Sequence, residues 1–258
     1  MSLILDPWFY LVAIPGILIV GIGKGGFAGG LGMIAVPMMA LTTSPVQAAS
    51  IMLPILCVMD ITGLRAWIST WNTALMMRLI PGAMLGTLIG YLTFEYVSDA
   101  ALKLLLGAIA IIFTLNHWSK RWRKAAPKAR ISELEDHLRG GFWSTLSGFT
   151  SFLAHAGAPP LMIYLLPKQL DKRLMVGTVT IFFAIVNYVK LVPYAALGLL
   201  DATNLGTSLV LSPLAVMGVK IGIKLHNKID PVLFFRLMYI SLFGTGLKLM
   251  WDGLSASL

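Results

Sequence analysis

Long apolar runs separated by short polar turns dominate the chain. Six of them lie at about 45–67, 74–94, 99–118, 174–199, 203–225 and 231–251. Each is close to the roughly 20 residues that a helix needs to cross a hydrocarbon core of about 30 Å. Two further stretches, about 8–42 and 140–167, are interrupted. The first carries seven glycines and a lysine between residues 21 and 32 (Gly21-Ile22-Gly23-Lys24-Gly25-Gly26-Phe27-Ala28-Gly29-Gly30-Leu31-Gly32). Its arms are short: as helix, residues 8–22 reach about 22 Å and residues 33–41 about 14 Å. Each interrupted stretch therefore predicts a broken helical hairpin with its tip near the midplane. The count is eight membrane segments, or ten if all hairpin arms cross.

The chain repeats itself. A shift of 122 residues lays Gly26-Phe27 on Gly148-Phe149, Ala35-Val36-Pro37 on Gly157-Ala158-Pro159, and Ser44-Pro45 on Leu166-Pro167. A shift of 132 lays Pro81, Gly86 and Gly90 on Pro213, Gly218 and Gly222. The chain thus divides into a first transmembrane repeat, 1–118, a linker, 119–138, and a second repeat, 139–258. The linker carries Lys120, Arg121, Arg123, Lys124, Lys128 and Arg130, with Arg139 just beyond it, and is expected on the cytoplasmic side. Three full crossings and one hairpin per repeat turn the second repeat upside down. The predicted fold is all-α: a polytopic integral membrane protein of two inverted repeats, each a broken helical hairpin plus three transmembrane helices. Inverted repeats with interrupted segments at matching positions are a mark of secondary transporters.

Composition agrees with this reading. The chain has 258 residues, 57% of them hydrophobic and only 12% charged, against about 25% charged in soluble domains. The net charge of +9 does not point to nucleic acid, because the basic residues gather at the ends of apolar runs. The single cysteine, Cys57, excludes an internal disulfide and a thiol metal cluster. The first apolar run lacks a preceding signal-peptide pattern and is expected to be retained. Trp8, Trp67, Trp71, Trp118 and Trp122 fit interfacial belts. Arg65, Arg78, Lys220 and Lys224 sit near expected cytoplasmic helix ends and read as topology anchors. Gly82, Gly86 and Gly90, like Gly218 and Gly222, are spaced for close helix packing.

Polar residues inside the apolar runs carry the candidate chemistry, because ionisable groups at membrane depth are costly without a partner. Lys24 can pair with an anion, with backbone N–H groups of the glycine run (Gly25, Gly26, Gly29, Gly30) as further donors. Its alternatives are snorkelling to the surface or pairing with a structural carboxylate. His155 lies at the matching second tip. It is an anion ligand or proton carrier, or else a neutral histidine bonded to a carbonyl. Thr150 and Ser151 offer hydroxyls, or bond their own helix backbone. Asn187 and Lys190 occupy a place in the second repeat related to that of Asp60 in the first. Asp60 reads as a proton carrier or as counter-ion to Lys24 or Lys190, and Asn187 as an anion donor. The expected substrate-binding set is Lys24, Gly25, Gly26, Gly29, Gly30, Thr150, Ser151, His155, Asn187 and Lys190, with Asp60 and His155 as proton-coupling candidates.

Three stretches resemble the TauE/SafE family of sulfite exporters, also called TSUP permeases. They are GKGGFAGGLGMIAVPMMAL from Gly23 to Leu41, SGFTSFLAHAGAPPLMIYLLP from Ser147 to Pro167, and VGTVTIFFAIVNYVKLVPYAALG from Val176 to Gly198. The resemblance implies a glycine-rich, proline-ended hairpin opening each repeat and a small sulfur-containing anion as substrate: sulfite, thiosulfate or an organosulfonate such as sulfoacetate. Lys24 interrupts the glycine run of the commoner family form, and the second hairpin has lost most of its glycines. The expected function is a secondary transporter of such an anion across the inner membrane by alternating access. An anion channel of the same architecture is the alternative. A membrane hydrolase built on Ser151 and His155 has no orienting acid nearby in sequence. The chain reads as no enzyme, with no metal or other cofactor and no nucleotide-driven step. The expected partners are the bilayer and the anion, with homo-oligomerisation left open.

Overall fold

The computed structural model describes residues 3–28, 35–96 and 132–255, with individual positions between 98 and 119. The described residues form helices and turns, with no strand among them. The elements are α1 (Pro7–Gly26), α2 (Ala35–Met39), α3 (Pro45–Trp67), α4 (Thr73–Leu92), α5 (Glu133–Ala154), α6 (Ala158–Leu165), α7 (Lys172–Ala196), α8 (Ala202–Lys228) and α9 (Pro231–Ser255). Five of them, α1, α3, α4, α7 and α8, are long and apolar enough to cross a membrane by length and composition. The run at 99–118 and the linker core at 120–131 lie largely outside the described residues.

The helix starts follow from local chemistry. Asp6, Ser44, Asn72, Ser132, Asp171 and Asp201 each accept a hydrogen bond from a first-turn backbone N–H, capping α1, α3, α4, α5, α7 and α8. Pro7 and Pro45 occupy first-turn positions where no N–H is needed. Pro81 and Pro213 fall inside α4 and α8.

Two close helix crossings organise the bundle: α1 lies on α8, and α5 lies on α4. Both rest on small residues. A Cβ on Gly25 would sit 2.2 Å from the Val219 carbonyl oxygen, and one on Gly86 would sit 1.9 Å from that of Thr145. Helix α3 packs on both α7 and α8. One apolar cluster joins α1, α2, α3 and α8 around Phe9, Ile17, Ile51 and Leu211. A second includes Leu79, Leu161, Phe182 and Val186 of α4, α6 and α7.

The first hairpin differs from expectation in where it breaks. Helix α1 continues through Gly21–Gly26, so Lys24 is helical rather than part of an open tip. Tertiary packing outweighs the poor helix propensity of these glycines, because only glycine lets α1 approach the α8 backbone so closely. The second hairpin breaks as expected. Helix α5 ends at Ala154, and the short α6 follows with Pro159 and Pro160 in its first turn. The charged base of this hairpin is tied down at one edge of the bundle. Asp136 bonds Lys168 Nζ at 2.7 and 2.9 Å and pairs with Arg78 of α4, while Lys168 stands 4.3 Å above the Tyr164 ring. Arg78, read from sequence as a topology anchor, is thus also an ion-pair partner.

Candidate functional site

Polar side chains converge where α1, α3, α5 and α7 meet. Lys24 of α1 pairs with Asp60 of α3, which is fully buried; Lys24 itself is 9% exposed. Asn187 of α7 donates from Nδ2 to the other carboxylate oxygen of Asp60 at 2.7 Å. Both Asp60 oxygens therefore have a donor, as a buried carboxylate requires.

A second buried group lies beside the first. Lys190 Nζ donates to the Ser151 carbonyl at 2.9 Å and to Ser151 Oγ at 3.1 Å, and stands 2.9 Å from His155 Nδ1. His155 Nε2 stands 2.9 Å from the Ala49 carbonyl oxygen. A carbonyl can only accept, so this assigns the ring hydrogen to Nε2 and leaves Nδ1 as acceptor for Lys190. His155 sits in the left-handed region at φ 51°, directly after α5. Histidine enters this region more readily than most residues, and the bonds at both ring nitrogens hold it there.

A cavity of about 30 Å³ lies among these groups. Lys24, Ser151, His155 and Asn187 supply its polar wall, and Val20, Leu56, Ala158 and Phe183 its apolar wall. That is room for one or two waters, so a sulfur oxyanion would require the walls to move apart. The start of α6 meets the cavity at Ala158.

Exposed backbone at the two helix breaks finds side-chain partners. At the second break, Ser147 Oγ donates to the Gly157 carbonyl at 2.7 Å and Thr150 Oγ1 to that of Ala156 at 3.0 Å. At the end of α1, Trp67 Nε1 donates to the Gly25 carbonyl at 3.1 Å. His226 Nδ1 lies 2.9 Å from the Gly26 carbonyl, and the Trp67 and His226 rings meet edge to face at 4.8 Å. These bonds satisfy carbonyls that a helix end leaves open.

Of the residues expected at the site, Lys24, Asp60, Ser151, His155, Asn187 and Lys190 come together. Lys190 stands behind the cavity wall rather than on it. Thr150 is turned to the backbone of the break. Gly25 and Gly26 face Val219 and Gly222 of α8, with room for no Cβ, so they serve packing at this crossing. Gly29 and Gly30 lie outside the described residues. Trp67, read from sequence as an interfacial tryptophan, is instead buried at 4% exposure and bonds α1. Ser147 and His226 had no assigned role, since a serine in a helix and a histidine near a helix end give no signal of a distant partner.

The family described as Sulfite exporter TauE/SafE matches residues 13–249 of the chain. No curated protein and no solved structure matches it.

Proposed function

Because the chain belongs to the TauE/SafE sulfite exporter family, a family of membrane transporters, we propose that it moves a small sulfur-containing anion by alternating access about the Lys24–Asp60 cavity. The family supports the substrate class of sulfite, thiosulfate or an organosulfonate such as sulfoacetate. The observation that carries the proposal is a buried ammonium facing a cavity with its only described partner, Asp60, on one side. An anion entering there competes with Asp60 for Lys24. Asn187 and Ser151 line the same space with N–H and O–H groups suited to oxyanion oxygens. In this reading Asp60 neutralises Lys24 in the empty carrier and takes up a proton when the anion displaces it, which would couple the two movements. His155, with both ring nitrogens bonded, forms a wall and does not carry that proton.

The pairing of α1 with α8 and of α5 with α4 supports two related halves, each opening on a broken hairpin. In the proposed arrangement the second half is inverted, the linker 119–138 is cytoplasmic, and the protein resides in the inner membrane. A thermal-shift panel on purified protein tests the site, with sulfite, thiosulfate, sulfoacetate, taurine and sulfate compared on wild type and Lys24→Ala. A sulfur anion is expected to raise the Tm of wild type and not of the variant. Equal stabilisation of both proteins would remove Lys24 from the site.

A further inference from the structure

Two lysines are buried at this site, and their surroundings give them different tasks. A lysine ammonium has three N–H groups. All three of Lys190 have acceptors in the protein: the Ser151 carbonyl, Ser151 Oγ and His155 Nδ1. Lys190 is fully buried and does not line the cavity. Lys24, in contrast, has Asp60 as its partner among the described residues and faces the cavity.

Ser151 is the link between Lys190 and the cavity. A serine within a helix commonly donates to the carbonyl four residues back. Here no bond from Ser151 Oγ to that carbonyl, of Ser147, is described, and the one bond described for Ser151 Oγ is as acceptor from Lys190. Its hydroxyl hydrogen is left for an acceptor in the cavity that Ser151 lines. Accepting from a cationic N–H strengthens a hydroxyl as a donor. The same lysine fixes His155 by holding Nδ1 as an acceptor, so the ring keeps its bond to Ala49 and its place in the wall.

We infer that Lys190 is a positioning residue and not an anion ligand, and that the hydroxyl of Ser151, aligned by Lys190, donates to an oxygen of the bound oxyanion. The inference rests on the anion-site reading above. It gives the pocket one cation in contact with the substrate, Lys24, and a neutral donor, Ser151, in the same lining.

A double-mutant cycle in the purified full-length protein tests it, with sulfite and sulfoacetate as probes and binding followed by calorimetry. Ser151→Ala and Lys190→Met are each expected to weaken binding about tenfold, the loss of one charge-assisted hydrogen bond. The double variant is expected to bind no more weakly than Ser151→Ala alone, because both changes remove the same contact. Additive losses would mean that Lys190 touches the anion directly and would overturn the inference. So would undiminished binding in Ser151→Ala when Lys24→Ala has lost it. If Lys24→Ala retains binding, the site reading itself fails, and with it this inference. Nitrogen NMR of the labelled wild type keeps the test open should Lys190→Met not fold. The His155 Nδ1 signal is expected to read as a lone-pair nitrogen bonded to Lys190 and to stay unchanged on adding sulfite. A shift on adding sulfite would show Lys190 leaving His155 for the anion and would contradict the inference.

Discussion

A buried lysine and a buried aspartate stabilise one another only as a pair. Removing one partner of such a pair costs about 3–5 kcal/mol, because an uncompensated charge stays behind. Lys24→Met and Asp60→Asn are each expected to lower thermal stability in detergent by that order, and Lys24→Met/Asp60→Asn together by less than either alone. Thermal unfolding of the three variants checks this, and additive losses would show that the two groups are not coupled. The residues of this site were legible in the sequence because a charge or amide inside an apolar run stands out. Their pairing was not. Lys24 and Asp60 are 36 positions apart, and Asn187 and Asp60 are 127 apart. The sequence left Asp60 with two candidate lysines, and only the approach of α1 to α3 decides between them. Trp67 was misread for a related reason: at the end of an apolar run, a tryptophan that anchors at an interface and one that bonds a neighbouring helix look the same.

At the scale of elements, glycine spacing foretold the close packing of Gly82, Gly86, Gly90, Gly218 and Gly222, but not that glycines of the first break pack as well. The sequence reading ends the first helical arm at residue 22, yet α1 runs on through Gly26, and its glycines are the surface against which α8 rests. Gly25→Ala is expected to destabilise by about 1–3 kcal/mol or more, since the new methyl would meet the Val219 carbonyl, which cannot move without shifting α8. Gly141→Ala is expected to be tolerated, because nothing lies within 4 Å of its added Cβ. Parallel melting curves of the two variants separate the cases. The ion-pair cluster at the base of α5 makes a second prediction. Asp136 stands in the polar first turn of α5, outside the candidate spans. Partial burial disfavours its charge, but hydrogen bonds and charge from Lys168, with the charge of Arg78, outweigh burial and lower its pKa. A carboxylate with a lowered folded pKa contributes stability that is complete above its unfolded pKa of about 3.9. That contribution is lost as pH falls through the folded value. Asp136→Asn should therefore melt below wild type at neutral pH, by about 1 kcal/mol for a surface network. The gap should close as pH drops below the ordinary carboxylate range. A gap that persists under acid would assign the loss to packing.

For the whole molecule, the apolar pattern located α3, α4, α7, α8 and α9 to within a few residues, because each is a long apolar run bounded by a short polar turn. The position of the break in the first hairpin was less legible. Arm length was judged from apolar residues alone, whereas α1 gains its last turn from contacts with α8 and from carbonyl bonds to Trp67 and His226. The proposed topology predicts that a cysteine at Ala126, in a Cys57→Ser background, reacts with an impermeant maleimide in inside-out vesicles and not in intact cells. The reverse labelling would turn the whole arrangement over.

The central claim is that a sulfur anion crosses the membrane through the Lys24–Asp60 cavity. Counterflow in proteoliposomes tests it most directly: vesicles loaded with unlabelled sulfite or sulfoacetate are diluted into a trace of the radiolabelled anion. The account predicts saturable, transient accumulation of label in wild type, and its loss in Lys24→Met/Asp60→Asn reconstituted to the same level. Ohmic anion current without counterflow, or undiminished counterflow in the double variant, would contradict it.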